Sequence, residues 1–145
     1  MITGNMETRR NTMNITQQVI IVSAEKSTET QQENTRRTTT LEHCLEDCNI
    51  VFNKASGVYK GKEEDSFVVL PRNEAEIEAV RDFAFKNFDQ ESILFQDSNQ
   101  EAYLVFADGS EERLGRLQEV TQEVAHGLDA YTILNGKYYA TVKRT

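Results

Sequence analysis

Residues 50–70 have the sequence IVFNKASGVYKGKEEDSFVVL, the most informative stretch of this chain for its architecture. β-Branched and aromatic residues in 50–59 and 65–70 predict two strands, because such side chains favour extended backbone. The polar segment 60–64 between them predicts a turn. We therefore expect a β-hairpin near the middle of the chain, with regular structure on either side.

The segments before this hairpin predict a strand and a helix separated by a polar region. Residues 18–23 are β-branched and apolar, which predicts a strand. Residues 25–40 are rich in Thr, Gln, Glu and Arg without an apolar period, which predicts a surface loop or lid. Residues 41–48 have apolar side chains at i, i+3, i+4 and i+7, which predicts a helix that starts within 36–40.

The segments after the hairpin predict a second helix and further strands. Asn73 and Glu76 form a capping box for a helix that runs to about residue 88. Strands are predicted at 92–96, 102–107, 111–120, 130–134 and 137–143, the last two joined by the turn Asn135-Gly136. The order strand, helix, strand, strand, helix, strand predicts an α+β fold. We expect a ferredoxin-like βαββαβ core with an antiparallel sheet and a C-terminal extension of β-hairpins.

The length and hydropathy of the chain predict one domain in the cytoplasm. The 145 residues suit a single domain over 16–145, preceded by a flexible polar extension over 1–15. No run of about 18 apolar residues is present, so we expect no membrane span. The longest early apolar run, 19–22, is too short for a secretory signal.

The charge pattern argues against a nucleic-acid partner. The chain has 24 acidic and 16 basic residues and a net charge of −8, whereas binding to phosphates requires a basic excess. A protein that mimics DNA would need acids spaced like phosphates and few bases. Here the bases are interspersed, as in Glu111-Glu112-Arg113 and at Arg116.

The chain carries no motif for a metal or a cofactor. His43, Cys44 and Cys48 are close in sequence, but a structural zinc site needs four ligands and no second pair exists. Glycine-rich nucleotide loops, nucleophile elbows and zinc-protease motifs are absent. His43 and His126 have no catalytic partner in sequence. We expect no metal and no cofactor.

Several short segments nevertheless share their order and spacing with one family. They are VIIVSAEKS (19–27), SGVYK (56–60), EEDS (63–66), DQESIL (89–94), LVFADG (104–109), LQEV (117–120) and the closing TI (132–133) with Gly136. This set resembles the phage S-adenosylmethionine (SAM) lyases, formerly described as SAM hydrolases, and covers most of the chain.

The resemblance implies an assembly and a pair of functional residues. It implies a homotrimer of ferredoxin-like subunits, similar to the PII signalling proteins, with active sites between neighbours. Tyr59 matches the family's catalytic tyrosine, and Glu64 is our choice for its glutamate. The intervening loop is shorter than in the coliphage relative, so Glu63 is the alternative. Without the resemblance, we would interpret Glu63 and Glu64 as residues of a solvated turn. Tyr59 would be interpreted as a strand residue that packs on a half-buried face.

The implied reaction needs no metal, no enzyme nucleophile and no redox cofactor. The carboxylate of SAM attacks its own γ-carbon, which the sulfonium activates, and the products are methylthioadenosine and homoserine lactone. Attack by water with a glutamate as general base, giving homoserine, is the alternative mechanism. SAM depletion in an infected cell would counter host restriction. Two other functions remain open: a non-catalytic, PII-like sensor of a small molecule, and an acidic anti-restriction protein.

Overall fold

The fold is given by a computed structural model, which describes residues 17–143. The extension predicted over 1–15 lies outside the described residues. The strands are β1 (Val19–Val22), β2 (Phe52–Tyr59), β3 (Lys62–Val69), β4 (Ser92–Gln96), β5 (Ala102–Phe106), β6 (Glu111–Val120), β7 (Ala130–Leu134) and β8 (Lys137–Val142). The helices are α1 (Gln31–Asp47), α2 (Glu74–Asp82), which continues as a π-helical turn (Phe83–Asn87), and α3 (Gln122–His126). Within 17–143, no helix is both long and apolar enough to cross a membrane.

The strands form a closed antiparallel barrel in the order β1-β3-β2-β7-β8-β6-β5-β4, with β4 returning to β1. The predicted ferredoxin-like core, with its PII-like arrangement, is therefore wrong. In an open ferredoxin-like sheet the outer edges of β2 and β4 would be unpaired. Here β7 pairs with β2 and β5 pairs with β4. The C-terminal strands thus complete the sheet, which removes the edges that open sheets must protect.

Two apolar clusters lie on the two faces of the barrel wall. Val19 of β1 packs with Leu117, Leu134 and Tyr139 inside the barrel. Ile20 and Val22 face the other way and pack beneath side chains of α1 and α2. Both faces of β1 are buried, which explains why its sequence, VIIV, is apolar without alternation.

The surface loop or lid predicted over 25–40 is wrong from Gln31 onward, because α1 begins at Gln31 and not within 36–40 as expected. That part of the segment is the first half of α1. The Thr30 side chain caps the helix by accepting a hydrogen bond from the Glu33 backbone N–H at 3.1 Å. Arg37 then attaches this half to the body of the protein. Its guanidinium donates to the backbone carbonyl of Ala24 at 2.7 Å and to that of Phe88. Polar contacts, rather than an apolar stripe, fix this helical segment.

Candidate functional site

The hairpin of β2 and β3 brings Tyr59 and Glu64 onto one face of the sheet. Its turn is only Lys60-Gly61, with φ angles of 50° and 81°, so the turn predicted over 60–64 is too long. Tyr59 pairs with Lys62, and Gly57 pairs with Glu64. Residues two apart on a strand share a face, and diagonal neighbours on adjacent strands lie about 7–8 Å apart. Tyr59 and Glu64 are such a diagonal pair.

Glu63 lies on the opposite face of the same strand. It pairs with Val58, which is 8% exposed, and its own side chain is exposed. The sheet therefore separates Glu63 from the face that carries Tyr59. Of the two glutamates considered from sequence, only Glu64 shares a face with the tyrosine.

The Glu64 carboxyl is half-buried and sits in an acidic environment. Burial raises its pKa above the usual value, and the carboxylate of Glu25 raises it further. Lys62 and a hydrogen bond with Ser23 lower the pKa, while Asp65 raises it. This carboxyl therefore holds its proton to a higher pH than an exposed glutamate would, and a nearby cation would favour its ionisation.

Gly57 lies close to Ser66 and Glu64 on the neighbouring strand. A Cβ atom at this position would lie 2.9 Å from the Ser66 Oγ and 3.9 Å from the Glu64 Cγ. Any larger side chain would displace Ser66, which is buried, or cover Glu64. A glycine at this position therefore avoids a steric overlap with Ser66 next to Glu64.

The loop after β1 contributes two residues that the sequence interpretation left without a role. The Ser23 hydroxyl donates to the Asp65 carbonyl at 2.8 Å and accepts from the Glu25 N–H at 3.1 Å. The Glu25 carboxylate accepts from the Asp65 N–H at 2.6 Å. These bonds fix a second carboxylate near Glu64. In the sequence, Ser23 and Glu25 were pointed to only by the segment 19–27, which resembles the family. That resemblance gave no chemical reason for the polar residues of the segment.

Tyr59 is the last residue of β2 and is 61% exposed, so it is not the packed strand residue of the simplest interpretation. The Lys60 ammonium lies 5.3 Å from the centre of its ring. The Lys60 N–H donates to the Asp129 carbonyl at 2.6 Å. Leu128, the residue before Asp129, therefore lies near this turn, and it is 41% exposed. An accessible aromatic ring and an exposed apolar side chain therefore border the site.

The other residues considered from sequence lie away from this face. His126 packs against Tyr131 and Tyr138, with ring centres 6.0 and 5.9 Å apart. Cys44 and Cys48 are unbridged thiols on and just after α1. Among residues 17–143, no group of three or more His, Cys, Asp or Glu side chains could hold a metal ion.

The family comparison covers this whole arrangement. The model of the S-Adenosylmethionine lyase family matches residues 20–142, which include Ser23, Tyr59 and Glu64. Among curated proteins, no sequence matches the chain significantly. The matched region runs from β1 to the end of β8 and makes up most of the 145 residues. This chain therefore belongs to the S-adenosylmethionine lyase family.

Proposed function

We propose that this protein cleaves SAM to methylthioadenosine and homoserine lactone. The observation that carries the proposal is the placement of Tyr59 beside the half-buried Glu64 on one face of the β2–β3 hairpin, in a chain of this family. Glu64 supplies a negative charge for a cationic substrate, and Tyr59 supplies an accessible hydroxyl and ring.

The reaction is an intramolecular displacement. An oxygen of the substrate carboxylate forms a bond to the γ-carbon, and the bond between that carbon and sulfur breaks. The electron pair remains on sulfur, which leaves as a neutral thioether without taking up a proton. Holding the chain in a curled geometry supplies much of the acceleration, because well-placed intramolecular reactions reach effective molarities of about 10⁵ M or more.

The two residues orient the substrate rather than react with it. The ionised Glu64 holds the ammonium or sulfonium end through a charge-assisted contact. The Tyr59 hydroxyl orients the methionyl part by a hydrogen bond. Glu64 acting as a general base on water would give homoserine instead. The lactone route is preferred because it needs no additional positioned water.

The test is to incubate the purified protein with SAM and to follow the products by mass spectrometry from the earliest times. We expect methylthioadenosine with homoserine lactone that precedes homoserine. Glu64→Gln should lower kcat/KM by about a hundredfold or more, since it removes the charge that orients the substrate. Glu63→Gln, its neighbour on the opposite face, should stay within about threefold of the parent.

The outcomes separate the alternatives. Homoserine without lactone from the start would favour attack by water. A large loss in Glu63→Gln with little loss in Glu64→Gln would transfer the role to Glu63. Intact SAM, alongside an active control enzyme, would contradict the proposal and favour the non-catalytic sensor.

We extend the proposal to the assembly and to the biological role. A homotrimer with active sites between subunits would cover the exposed Tyr59 and Leu128, which border the site. Sedimentation equilibrium measures this assembly state. Depletion of SAM would deprive SAM-dependent restriction enzymes of their cofactor. Relief of restriction that disappears when SAM is in excess supports this role, whereas competition with DNA would support mimicry.

A further inference from the structure

A narrow cleft lies between α2 and the outer face of the barrel. Its base is formed by buried aliphatic side chains from the helix and from three strands, with the half-buried Phe95 beside them. These aliphatic residues are Ile20, Ile77, Ile93 and Val105. The residues that line the cleft include none of those assigned to the candidate functional site. The cleft is therefore a separate feature of the fold.

Three charged side chains complete the lining of this cleft. They are Glu74 and Arg81 of α2 and Glu111, the first residue of β6. Glu74 and Arg81 are two helical turns apart, so they lie on one face of the helix, about 10 Å apart along its axis, with Ile77 between them. Val105 pairs with Glu111, which places this glutamate next to the apolar base. The cleft thus combines an apolar base with one cation and two carboxylates.

The Arg81 guanidinium is half-buried but has no ion pair within the part of the chain that the structure describes, 17–143. Glu74 and Glu111 likewise have no ion pair there, although they line the same cleft. Three other arginines each donate to an oxygen of the protein: Arg37, Arg72 and Arg113. The planar guanidinium of Arg81 is therefore available for a bidentate contact with a carboxylate from outside the chain.

The charges and the size of the cleft restrict the class of ligand. Its volume is about 90 Å³. This is room for about six water-sized groups, enough for a short carbon chain. An anion without a positive charge would meet two carboxylates beside the arginine, and an alkylamine would leave the arginine without a partner. A zwitterion with a short apolar chain matches all three charges and the base. Because the aliphatic residues of the base are buried, the slot is narrow and favours an unbranched chain.

We propose that this cleft is a second binding site, for a free α-amino acid with a short, unbranched apolar side chain. The carboxylate of the ligand contacts Arg81, and its ammonium contacts Glu74 or Glu111. The side chain of the ligand lies against Ile77 and Phe95. No covalent bond changes on binding, and the inference does not depend on the reaction proposed for the Tyr59–Glu64 site.

A series of three ligands tests each charge separately. L-Norleucine carries both charges, hexanoate lacks the ammonium, and pentylamine lacks the carboxylate. Titration calorimetry with the full chain at neutral pH measures their affinities. We expect L-norleucine to bind at least about tenfold more tightly than either analogue, the effect of one charge-assisted hydrogen bond. Hexanoate or pentylamine binding as tightly as L-norleucine would overturn the ligand class, and the absence of L-norleucine binding at millimolar concentration would overturn the site.

Variants of the cleft test which side chain meets which charge. Arg81→Gln should weaken L-norleucine binding by about tenfold or more and leave pentylamine binding unchanged. Glu74→Gln or Glu111→Gln should weaken L-norleucine binding without weakening hexanoate binding. Arg36→Gln is the matched control, because it removes an exposed arginine outside the cleft. Thermal unfolding shows whether each variant is folded. Parental affinity in Arg81→Gln would overturn the proposal.

The location of the ligand must be tested as well, because an amino acid could also bind at the candidate functional site. Glu64→Gln should retain L-norleucine binding, and the backbone amide NMR signals of Ile77 and Val105 should shift during the titration. Loss of binding in Glu64→Gln without shifts at these two residues would assign the ligand to the candidate functional site and overturn the proposal. Neither readout requires turnover of SAM, so failure of the proposed reaction would leave this test intact.

Discussion

At the scale of single residues, Gly115 marks a close approach between two strands of the barrel. Its φ angle is 101°, which side chains rarely tolerate. A Cβ atom here would lie 2.3 Å from the Val142 carbonyl oxygen and 2.6 Å from the Lys143 Cα. The pairing of β5 with β6 shifts register beside this glycine. A bulge and a glycine together thus let β6 pass close to the end of β8.

Gly115→Ala should therefore lower the free energy of unfolding by about 2–4 kcal/mol, which combines backbone strain with steric overlap. Urea unfolding followed by circular dichroism measures this loss. Gly109→Ala is the matched control, because Gly109 has a φ of 90° but nothing within 4 Å of a Cβ atom. It should lose only about 1 kcal/mol from strain. Equal losses in the two variants would contradict the close approach at Gly115.

The candidate site could be predicted only in part from sequence, and the reason lies in one turn. Family resemblance selected Tyr59 and Glu64, with Glu63 as the alternative. If residues 60–64 all belonged to a turn, strand alternation could not place either glutamate on one face of the sheet. The observed two-residue turn extends β3 to Lys62, and strand alternation then places Glu64 with Tyr59. Ser23 and Glu25 were missed because their contacts with Asp65 cross 40 or more positions of sequence.

At the scale of secondary-structure elements, Arg37 connects α1 to the two loops that follow β1 and α2. It bonds the carbonyls of Ala24 and Phe88, and its guanidinium lies 5.6 Å from the centre of the Phe88 ring. Ala24 lies between Ser23 and Glu25. The helix that was predicted to be partly a lid thus acts as a support for the candidate site.

Arg37→Met should destabilise the protein by about 1–3 kcal/mol, because two carbonyls lose a charged donor. It should also lower kcat/KM, since the backbone beside Ser23 loses its anchor. Thermal unfolding and steady-state kinetics measure the two effects. Arg36→Met is the adjacent control: the exposed Arg36 side chain pairs with Glu33 on the helix surface, so its loss should change little. Similar effects of the two substitutions would argue against the anchoring role.

The polar half of α1 shows a limit of reasoning from periodicity. Residues 31–40 contain no apolar side chain, so the test for an apolar period finds nothing. The helix forms because Thr30 caps it and because Gln, Glu and Arg have favourable helix propensity. Side-chain hydrogen bonds also occur within this half: the hydroxyls of Thr35, Thr39 and Thr40 each donate to the backbone carbonyl four residues earlier.

At the scale of the whole molecule, the C-terminal hairpin closes the barrel. β7 pairs with β2, and β8 pairs with β6. Leu134 and Tyr139 fill the barrel interior from these strands. Under the ferredoxin-like prediction the hairpin would be an extension, and its removal would leave an intact sheet.

A variant that ends at Val120 should therefore fail to fold cooperatively. It would expose two strand edges and the interior cluster, which favours aggregation. Size-exclusion chromatography and urea unfolding, with the full chain as the control, test this expectation. A monodisperse variant with a cooperative transition would show that the first six strands are sufficient without closure.

Most strands could be placed from sequence, but their closure into a barrel could not. Apolar alternation and turn residues such as Asn135-Gly136 report local structure, and the β7–β8 hairpin they predicted is present. Neither pattern states which strand pairs with β2 across the molecule. The pairing of β2 with β7 joins residues more than 70 positions apart, and this information is absent from any local window.

The position of β1 between β3 and β4 affects the rate of folding. Folds dominated by such distant pairings form in about milliseconds to seconds, more slowly than those built from local contacts. Ser23 and Glu25 reach Asp65 and Glu64 only once β1 has entered the sheet beside β3. A ribosome-bound chain that has not yet completed this insertion would lack the second carboxylate. The carboxylates of Glu25 and Glu64 would therefore come together only in the folded protein.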